Sequence, residues 1–342
     1  MSISSILCVG QNSGTCLDRA NALRRLGYGV ELIDLRTLLP RTTLIFPFTR
    51  RFGGHWFEPL VTRALPRMLS GKRFDLCIVD GGEWVTSRVI ELLREYSSKV
   101  IHYQIDDAFG TRDGAYFKAF RRSVPRYDLC IVMRSRNIAE AHIFGAQAVM
   151  RVYMSADEVS HAPRSLTEYD HRQWNSEVLF LGTWFPERGP FLLELIKRGV
   201  PLTIRGSRWE KAPEWCKLKP YIAGGPLWGD EYAKAIQCAR VNLGLLSKGN
   251  RDMHTTRSLE IPALGSLLCA ERTAEHVTMY EEGKEALFWA DAEECAAKCN
   301  YALSHHEARL QIAAAGQRRV RINGHYNEPI LRAILDRVAE LT

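Results

Sequence analysis

The chain has no run of about 18 apolar residues, the length a membrane-crossing helix needs, so no such helix is expected within its 342 residues. The opening MSISSILCVG lacks a basic stretch and a small-residue cleavage site, and it reads as a first strand rather than a signal peptide. Nine cysteines form no CxxC pair and no regular framework, which argues against a disulfide scaffold and for the reducing cytosol. Cys295 and Cys299 stand one helical turn apart, with no histidine or second cysteine pair nearby in sequence to complete a zinc site. Cys8, Cys77, Cys130 and Cys269 lie in apolar runs, where a reduced thiol behaves as a small hydrophobe. There is no HExxH, no Walker loop and no nucleophile elbow. The loop after the first apolar run, Gly10-Gln11-Asn12-Ser13-Gly14, is not GxGxxG, so a nicotinamide dinucleotide site is poorly supported. No repeat of 20–50 residues appears, which excludes solenoids.

Acids are almost missing between Arg36 and Arg73. Glu58 stands alone there against Arg36, Arg41, Arg50, Arg51, Arg63, Arg67, Lys72 and Arg73, with Leu44, Ile45, Phe46, Phe48, Phe52, Trp56 and Phe57 interleaved. Two readings stay open: a basic, aromatic surface for an anionic bilayer or acceptor, or a solvated basic helix pair over ordinary core aromatics. The net charge of +7 is otherwise moderate, and 46% apolar with 25% charged residues is the composition of a globular protein.

What is present is an alternation of short apolar runs and helical patterns. ILCVG (6–10), VELIDL (30–35), FDLCIVDGG (74–82), KVIHYQIDD (99–107) and YDLCIVMR (127–134) read as strands separated by helices, including 16–27, 84–96 and 137–146. That order specifies a parallel, doubly wound sheet. A polar, loop-like stretch follows at 155–165, and the pattern restarts with EVLFLGT (177–183), PLTIRG (201–206) and VNLGLLS (241–247). The tail from 292 to 341 is helical, with a break expected at Pro329. At 342 residues, two domains are the natural division. They are expected as an α/β pair, residues 1–160 and residues 161–342, the second carrying the C-terminal helices.

The stretch NRDMHTTRSLE crowds Asp252, His254, Thr255, Thr256 and Arg257 just before an apolar helix that contains Glu260. In open α/β sheets, ligands bind beyond the carboxyl ends of strands, and a helix N-terminus there favours a phosphate. Thr255 and Thr256 can cap and offer hydroxyls, Arg257 and Lys248 can add charge to a diphosphate, and Glu260 can accept hydrogen bonds from ribose hydroxyls. Taken singly, each of these residues is an ordinary cap or an exposed acid. Together at one strand end they read as a nucleoside diphosphate site.

Here the sequence resembles a family. LGLLSKGNRDMHTTRSLEIPALGSLLCAERTAEH and the segment through WADAEE are similar to the donor-binding region of glycosyltransferases of the spore-maturation-protein (CgeB-like) type, in the broad GT-B group. The group's pattern of a carboxylate, seven residues and a glutamate reads as Asp252 and Glu260, with Asp where the more familiar pattern has Glu. EVLFLGTWFPERGPFLLELIKRG and IRGSRW extend the resemblance, which covers about residues 177 to 325 and is topological only over the first half. It implies a GT-B fold, two Rossmann-like domains facing across a cleft. It implies transfer of a sugar from a nucleotide-sugar to an acceptor hydroxyl, with the nucleotide-sugar as substrate, no cofactor and no metal. Glu260 would bind the ribose, with Gly182, Thr183, Arg188, Arg205 and Gly206 near the donor phosphates. Gly14, in the first small-residue loop, would let the ligand approach the backbone.

Asp106 and Asp107 end the fourth strand, where one could serve as general base or sugar-hydroxyl ligand, or merely cap the next turn. Glu83 is a comparable candidate beside Gly81 and Gly82, which suggest chiefly a tight turn. His102 reads as a core histidine, His254 as a phosphate contact and His276 as solvent-facing. The expected partners are a nucleotide-sugar and a carbohydrate or lipid-linked acceptor in surface polysaccharide synthesis, with an anionic membrane at residues 36–73. The expected location is the cytoplasm, at the inner membrane face. Rival readings are an epimerase or hydrolase of the same fold, a non-catalytic surface-assembly scaffold, and a nucleic-acid binder, which would explain the basic segment but not the donor block.

Overall fold

The apolar runs of the first half become parallel strands, the inner ones buried on both faces and the edge ones only partly buried. In the computed structural model, which describes residues 3–40 and 42–341, they are β1 (Ser5–Val9), β2 (Gly29–Ile33), β3 (Phe74–Asp80), β4 (Ser97–Gln104), β5 (Leu129–Val132) and β6 (Val149–Arg151). Arg41 of the basic segment lies outside the described residues. The sheet order is β2-β1-β3-β4-β5-β6, in register Val9 to Ile33 on one side of β1 and Val9 to Val79 on the other. The chain leaves β1 for one neighbour and returns to the opposite side for β3. Connections there diverge to the two faces and open a crevice at the carboxyl edge.

The second sheet comprises β7 (Ser176–Leu181), β8 (Leu202–Arg205), β9 (Ile222–Gly224), β10 (Ala239–Gly244), β11 (Leu268–Glu271) and β12 (Leu287–Trp289). Its order, β12-β11-β10-β7-β8-β9, is the order of dinucleotide-binding folds, with the reversal between β7 and β10. Each sheet has its own core. Val9, Val79, Val100 and Phe120 belong to the first; Phe180, Ile204, Val241 and Cys269 belong to the second.

The division of the chain differs from a single cut at residue 160. One unit is Met1–Tyr153, Gly249–Arg251 and Asn327–Thr342; the other is Met154–Lys248 and Asp252–Tyr326. The last helix, Asn327–Glu340, therefore belongs to the first unit, where Arg25 holds Glu328 at 2.7 Å. The tail breaks at Gly324 (φ +66°), not at Pro329. Pro329 sits in the first turn of that helix, where a missing amide costs nothing.

Local chemistry also moves one expected helix. Gly81 (φ +92°) and Gly82 (φ +82°) make a left-handed turn that carries the chain through Trp84 and Val85 before helix Ser87–Arg94 begins. Thr86 caps that helix, its hydroxyl accepting from the Val89 amide at 3.4 Å. β6, β9 and β12 have only three residues each, too few for an apolar period to reveal.

Candidate functional site

The reversal between β7 and β10 is held by a buried arginine. Arg188, opening helix Arg188–Lys197, donates to Thr183 O at 2.8 Å and to Leu245 O and Leu246 O at 3.0 and 3.1 Å. Its guanidinium also stacks over Phe185, 4.5 Å from the ring centre. It thus straps the loop after β7 to the chain after β10 rather than projecting freely. Gly182 and Gly206 meet backbone to backbone: a Cβ on Gly206 would stand 1.9 Å from Gly182 O, so only glycine fits. Gly182 O accepts from Trp209 Nε1 at 3.0 Å, and Thr183 Oγ1 lies 3.0 Å from Ser207 Oγ. Arg205 lies over Trp174 at 4.9 Å.

Glu260 is the centre of this edge. It is 3% exposed, one turn into helix Arg257–Ala263. Its Oε2 accepts from Tyr232 at 2.5 Å and from Arg257 Nη1 at 2.8 Å. His161 Nδ1 accepts the Asp157 amide at 2.8 Å, so its proton sits on Nε2, which faces Glu260 Oε1 at 3.5 Å. Burial alone would raise the Glu260 pKa; Arg257, His161 and Tyr232 outweigh it and hold the carboxyl below its ordinary value. Arg257 is a third exposed and lies over the Tyr232 ring at 4.9 Å.

The other residues of the crowded stretch separate. His254 is a packing residue: Met154 N donates to its Nε2 at 3.0 Å and its Nδ1 is hydrogen-bonded to Glu275, which leaves no ring nitrogen for a phosphate. Thr256 does not cap the helix; its hydroxyl accepts from Arg257 at 3.3 Å, and the Ser258, Leu259 and Glu260 amides bond to Thr255 O and Thr256 O. An open amide cradle is thus not what this turn offers. Thr255 Oγ1 is buried without a hydrogen-bond partner among the described residues. Asp252 is buried, its amide donating to Ser247 O at 3.3 Å. Lys248 pairs with Glu271, and its amide donates to Glu187 at 3.1 Å. His276 is fully buried, not solvent-facing: its ring nitrogens lie 2.7 Å from Ser258 Oγ and 2.6 Å from Glu271 O.

In the first unit the two candidate bases differ. Asp107 is buried, and Arg251 donates to its Oδ1 at 2.7 Å while Asn137 donates at 2.9 Å. Burial works to raise its pKa, but these donors prevail and lower it. Such a carboxylate is a poor proton acceptor, and Arg251 (φ +53°) also holds Glu140 at 2.7 Å. Asp106 is half-exposed, accepts from Asn250 at 3.1 Å and stays 3.9 Å from Arg112. Gly14 (φ +57°) begins helix Gly14–Arg25 with open space around its missing Cβ. His102 is a core histidine, stacked on Phe120 at 4.0 Å, and burial drops its pKa to about 4.

Folding brings Cys269 to Cys295 and Cys299, three buried thiols whose sulfurs lie within 4.8 Å of one another. That is one ligand short of the four a structural zinc takes. Sequence reasoning missed His161 and Tyr232. The first lies in a stretch read as a polar loop, and the second 28 residues from the glutamate it serves. Neither spacing carries a signal.

Residues 188–336 match the profile of the family described as glycosyl transferase-like. No curated protein matches the sequence. Among solved structures, sucrose-phosphate synthase from Thermosynechococcus elongatus superposes with a TM-score of 0.68 at 13% identity, covering 98% of this chain and 99% of that one. The fold is GT-B. HepE from Anabaena, solved with UDP and glucose, has the same GT-B fold at a TM-score of 0.66 and 14% identity, covering 99% and 100%. A putative UDP-N-acetylglucosamine 2-epimerase from Listeria monocytogenes is similar at 0.54 and 10%, covering 94% and 95%.

Proposed function

We propose that the protein is a glycosyltransferase of the CgeB-like type that moves a sugar from a nucleoside-diphosphate sugar to an acceptor hydroxyl. One observation carries this: a buried, ionised Glu260, braced by Arg257, Tyr232 and His161, at the strand-order reversal of a dinucleotide-type sheet. Glu260 Oε1, which His161 approaches only at 3.5 Å, accepts from the ribose hydroxyls. Arg257, the cation of this cluster that is partly open to solvent, faces the diphosphate, and Thr255, Thr256 and Lys248 border it. Arg188, Gly182, Thr183, Arg205 and Gly206 shape the phosphate-facing loops, with Arg188 adding positive potential from beneath. Asp252 supports the loop, and Asp106 serves as a sugar-hydroxyl ligand. No step requires a metal, because fixed cations stabilise the departing diphosphate.

The second reading, a nucleotide-sugar epimerase or hydrolase, is favoured by the whole-length likeness to the putative epimerase. It shares the donor site and needs no acceptor.

The acceptor is carbohydrate or lipid-linked, met at the inner face of a membrane. Helix Ile45–Phe52 and the turn after it present Leu44 (68% exposed), Phe52 (49%) and Trp56 (63%) beside Arg50 and Arg51. Phe52 and Trp56 are on the surface, while Ile45 and Phe57 join the first core; the surface pair favours the anionic-bilayer reading of residues 36–73. Among the described residues no helix is long and apolar enough to cross a membrane.

Thermal unfolding with UDP, GDP, TDP, CDP and ADP tests the donor site, comparing wild type with Glu260→Ala. A nucleotide at about a hundred times its dissociation constant adds about 2.7 kcal/mol to the native state. One nucleotide should shift the wild type by roughly 5–10 °C and leave the variant unmoved. No shift with any of them would sink the reading.

A further inference from the structure

Three of the nine cysteines meet in the core of the second unit, and nothing in the proposed transfer uses them. Cys269 stands in β11, and Cys295 and Cys299 stand one turn apart on helix Ala292–Ser304, which packs against β10, β11 and β12. All three are fully buried or nearly so, and their sulfurs lie within 4.8 Å of one another. Cys8, Cys16, Cys77 and Cys130 of the first unit are buried too. Yet among the described residues no other three histidine, cysteine or acidic side chains converge in this way.

The surroundings of the triad are apolar. Cys269 is in register with Leu243 on one side and Leu287 on the other, and all three belong to the same core. The ionisable groups that act on Cys269 and Cys299 are the other members of the triad. A zinc ion takes four ligands, so here it would have to draw the fourth from water, which apolar surroundings do not hold. Soft thiolates select ions such as Cu(I), which is content with two or three sulfurs. Three sulfurs in a plane at about 2.3 Å from one ion stand about 4 Å apart. Closing the widest gap of the triad thus asks for a movement of less than about 1 Å.

We propose that Cys269, Cys295 and Cys299 form a three-coordinate site for a soft, monovalent, thiophilic ion of the Cu(I) class. Two thiols release their protons to solvent as the ion binds, and the third coordinates as a neutral thiol. The centre then buries one net negative charge, where three thiolates would bury two at greater cost. The bound ion clasps β11 to the helix Ala292–Ser304. Glu271, at the end of β11, pairs with Lys248, so the clasp steadies the strand end that holds this lysine. The assignment is independent of the transferase reading.

The reduced full-length protein is titrated without oxygen into Cu(I) held by bathocuproine disulfonate, whose colour reports the ion it keeps. The wild type should withdraw one equivalent. With the ion at about a hundred times its dissociation constant it should melt roughly 5–10 °C higher. Cys216→Ser, which removes an exposed thiol, and Cys238→Ala, which removes a buried thiol elsewhere in the unit, should keep both effects. Cys295→Ala and Cys299→Ala should each lose both. A chelator colour left unchanged by the wild type overturns the site, and so does withdrawal that survives in both of these alanine variants. Should those variants fail to fold, the wild type still decides. Zn(II) at the same concentration should leave its melting temperature unmoved, and a rise equal to that with Cu(I) would overturn the three-coordinate assignment.

Discussion

Each unit places a glutamate against a tyrosine hydroxyl at the reversal of its sheet, and the two carboxyls behave oppositely. Tyr232 donates to Glu260 at 2.5 Å and Tyr116 to Glu83 at 2.6 Å. Burial disfavours the charge in both. At Glu260 the guanidinium of Arg257 reverses the balance and the pKa falls; at Glu83 only a phenol opposes burial and the pKa rises. The hydrogen bond is common to both, so the neighbouring cation decides. An ionised acid suits a fixed ligand contact, and an acid with a raised pKa suits proton transfer.

Arg257→Met should break the comparison most. It strands Glu260 without its cation, at a cost of about 3 kcal/mol near neutral pH, read by urea unfolding. Adding Glu260→Gln should recover much of that loss, and a double variant no more stable than Arg257→Met would contradict the pairing. Next in size is the basic surface of helix Ile45–Phe52. Arg50→Glu with Arg51→Glu should weaken binding to liposomes containing phosphatidylserine by about 1 kcal/mol per lost cation, with the effect fading at high salt. Unchanged sedimentation with the liposomes would remove the membrane from the account.

The pH dependence of stability should separate the two glutamates more subtly. Glu260, with a lowered folded pKa, contributes stability above its unfolded pKa that is lost as pH falls through the folded value. Glu260→Gln should therefore lower the melting temperature at pH 7 and matter little in acid. Glu83 has a raised folded pKa, so its contribution is present in acid and lost as pH rises through that value. Glu83→Gln should leave the acid melting temperature unchanged and raise it slightly at pH 8. Parallel pH curves for the two variants would erase the distinction. Smallest is Thr255→Val, which removes a buried hydroxyl without a partner. Stability should change by less than about 1 kcal/mol in either direction, whereas the nucleotide-induced shift should shrink if that hydroxyl meets the ligand.

The longer strands and the two-sheet plan were legible because buried parallel strands leave continuous apolar runs; the polar block around Glu260 was visible in the sequence, but its burial against Arg257, Tyr232 and His161 was not. The role of His254 was not legible. A histidine in a polar loop looks exposed until Met154 and Glu275 are found on its two nitrogens. Arg188 could be read as cationic, but its use on three carbonyl oxygens depends on strand ends 57 and 58 residues away. Pro329 misled in the other direction, since a proline marks a helix break or a helix start and the local sequence does not say which.

By itself the sequence determined where the longer strands lie, that the chain winds two parallel sheets, and where basic and aromatic residues cluster. These follow from short-range periodicity and composition. Only the tertiary structure decided which acid meets a cation. Asp107 gains Arg251, Glu260 gains Arg257 and a histidine from a distant loop, and Glu83 gains a phenol. The charge state of a carboxyl depends on burial and on neighbours within a few ångströms. Three of those four partners lie 33 to 144 residues away along the chain.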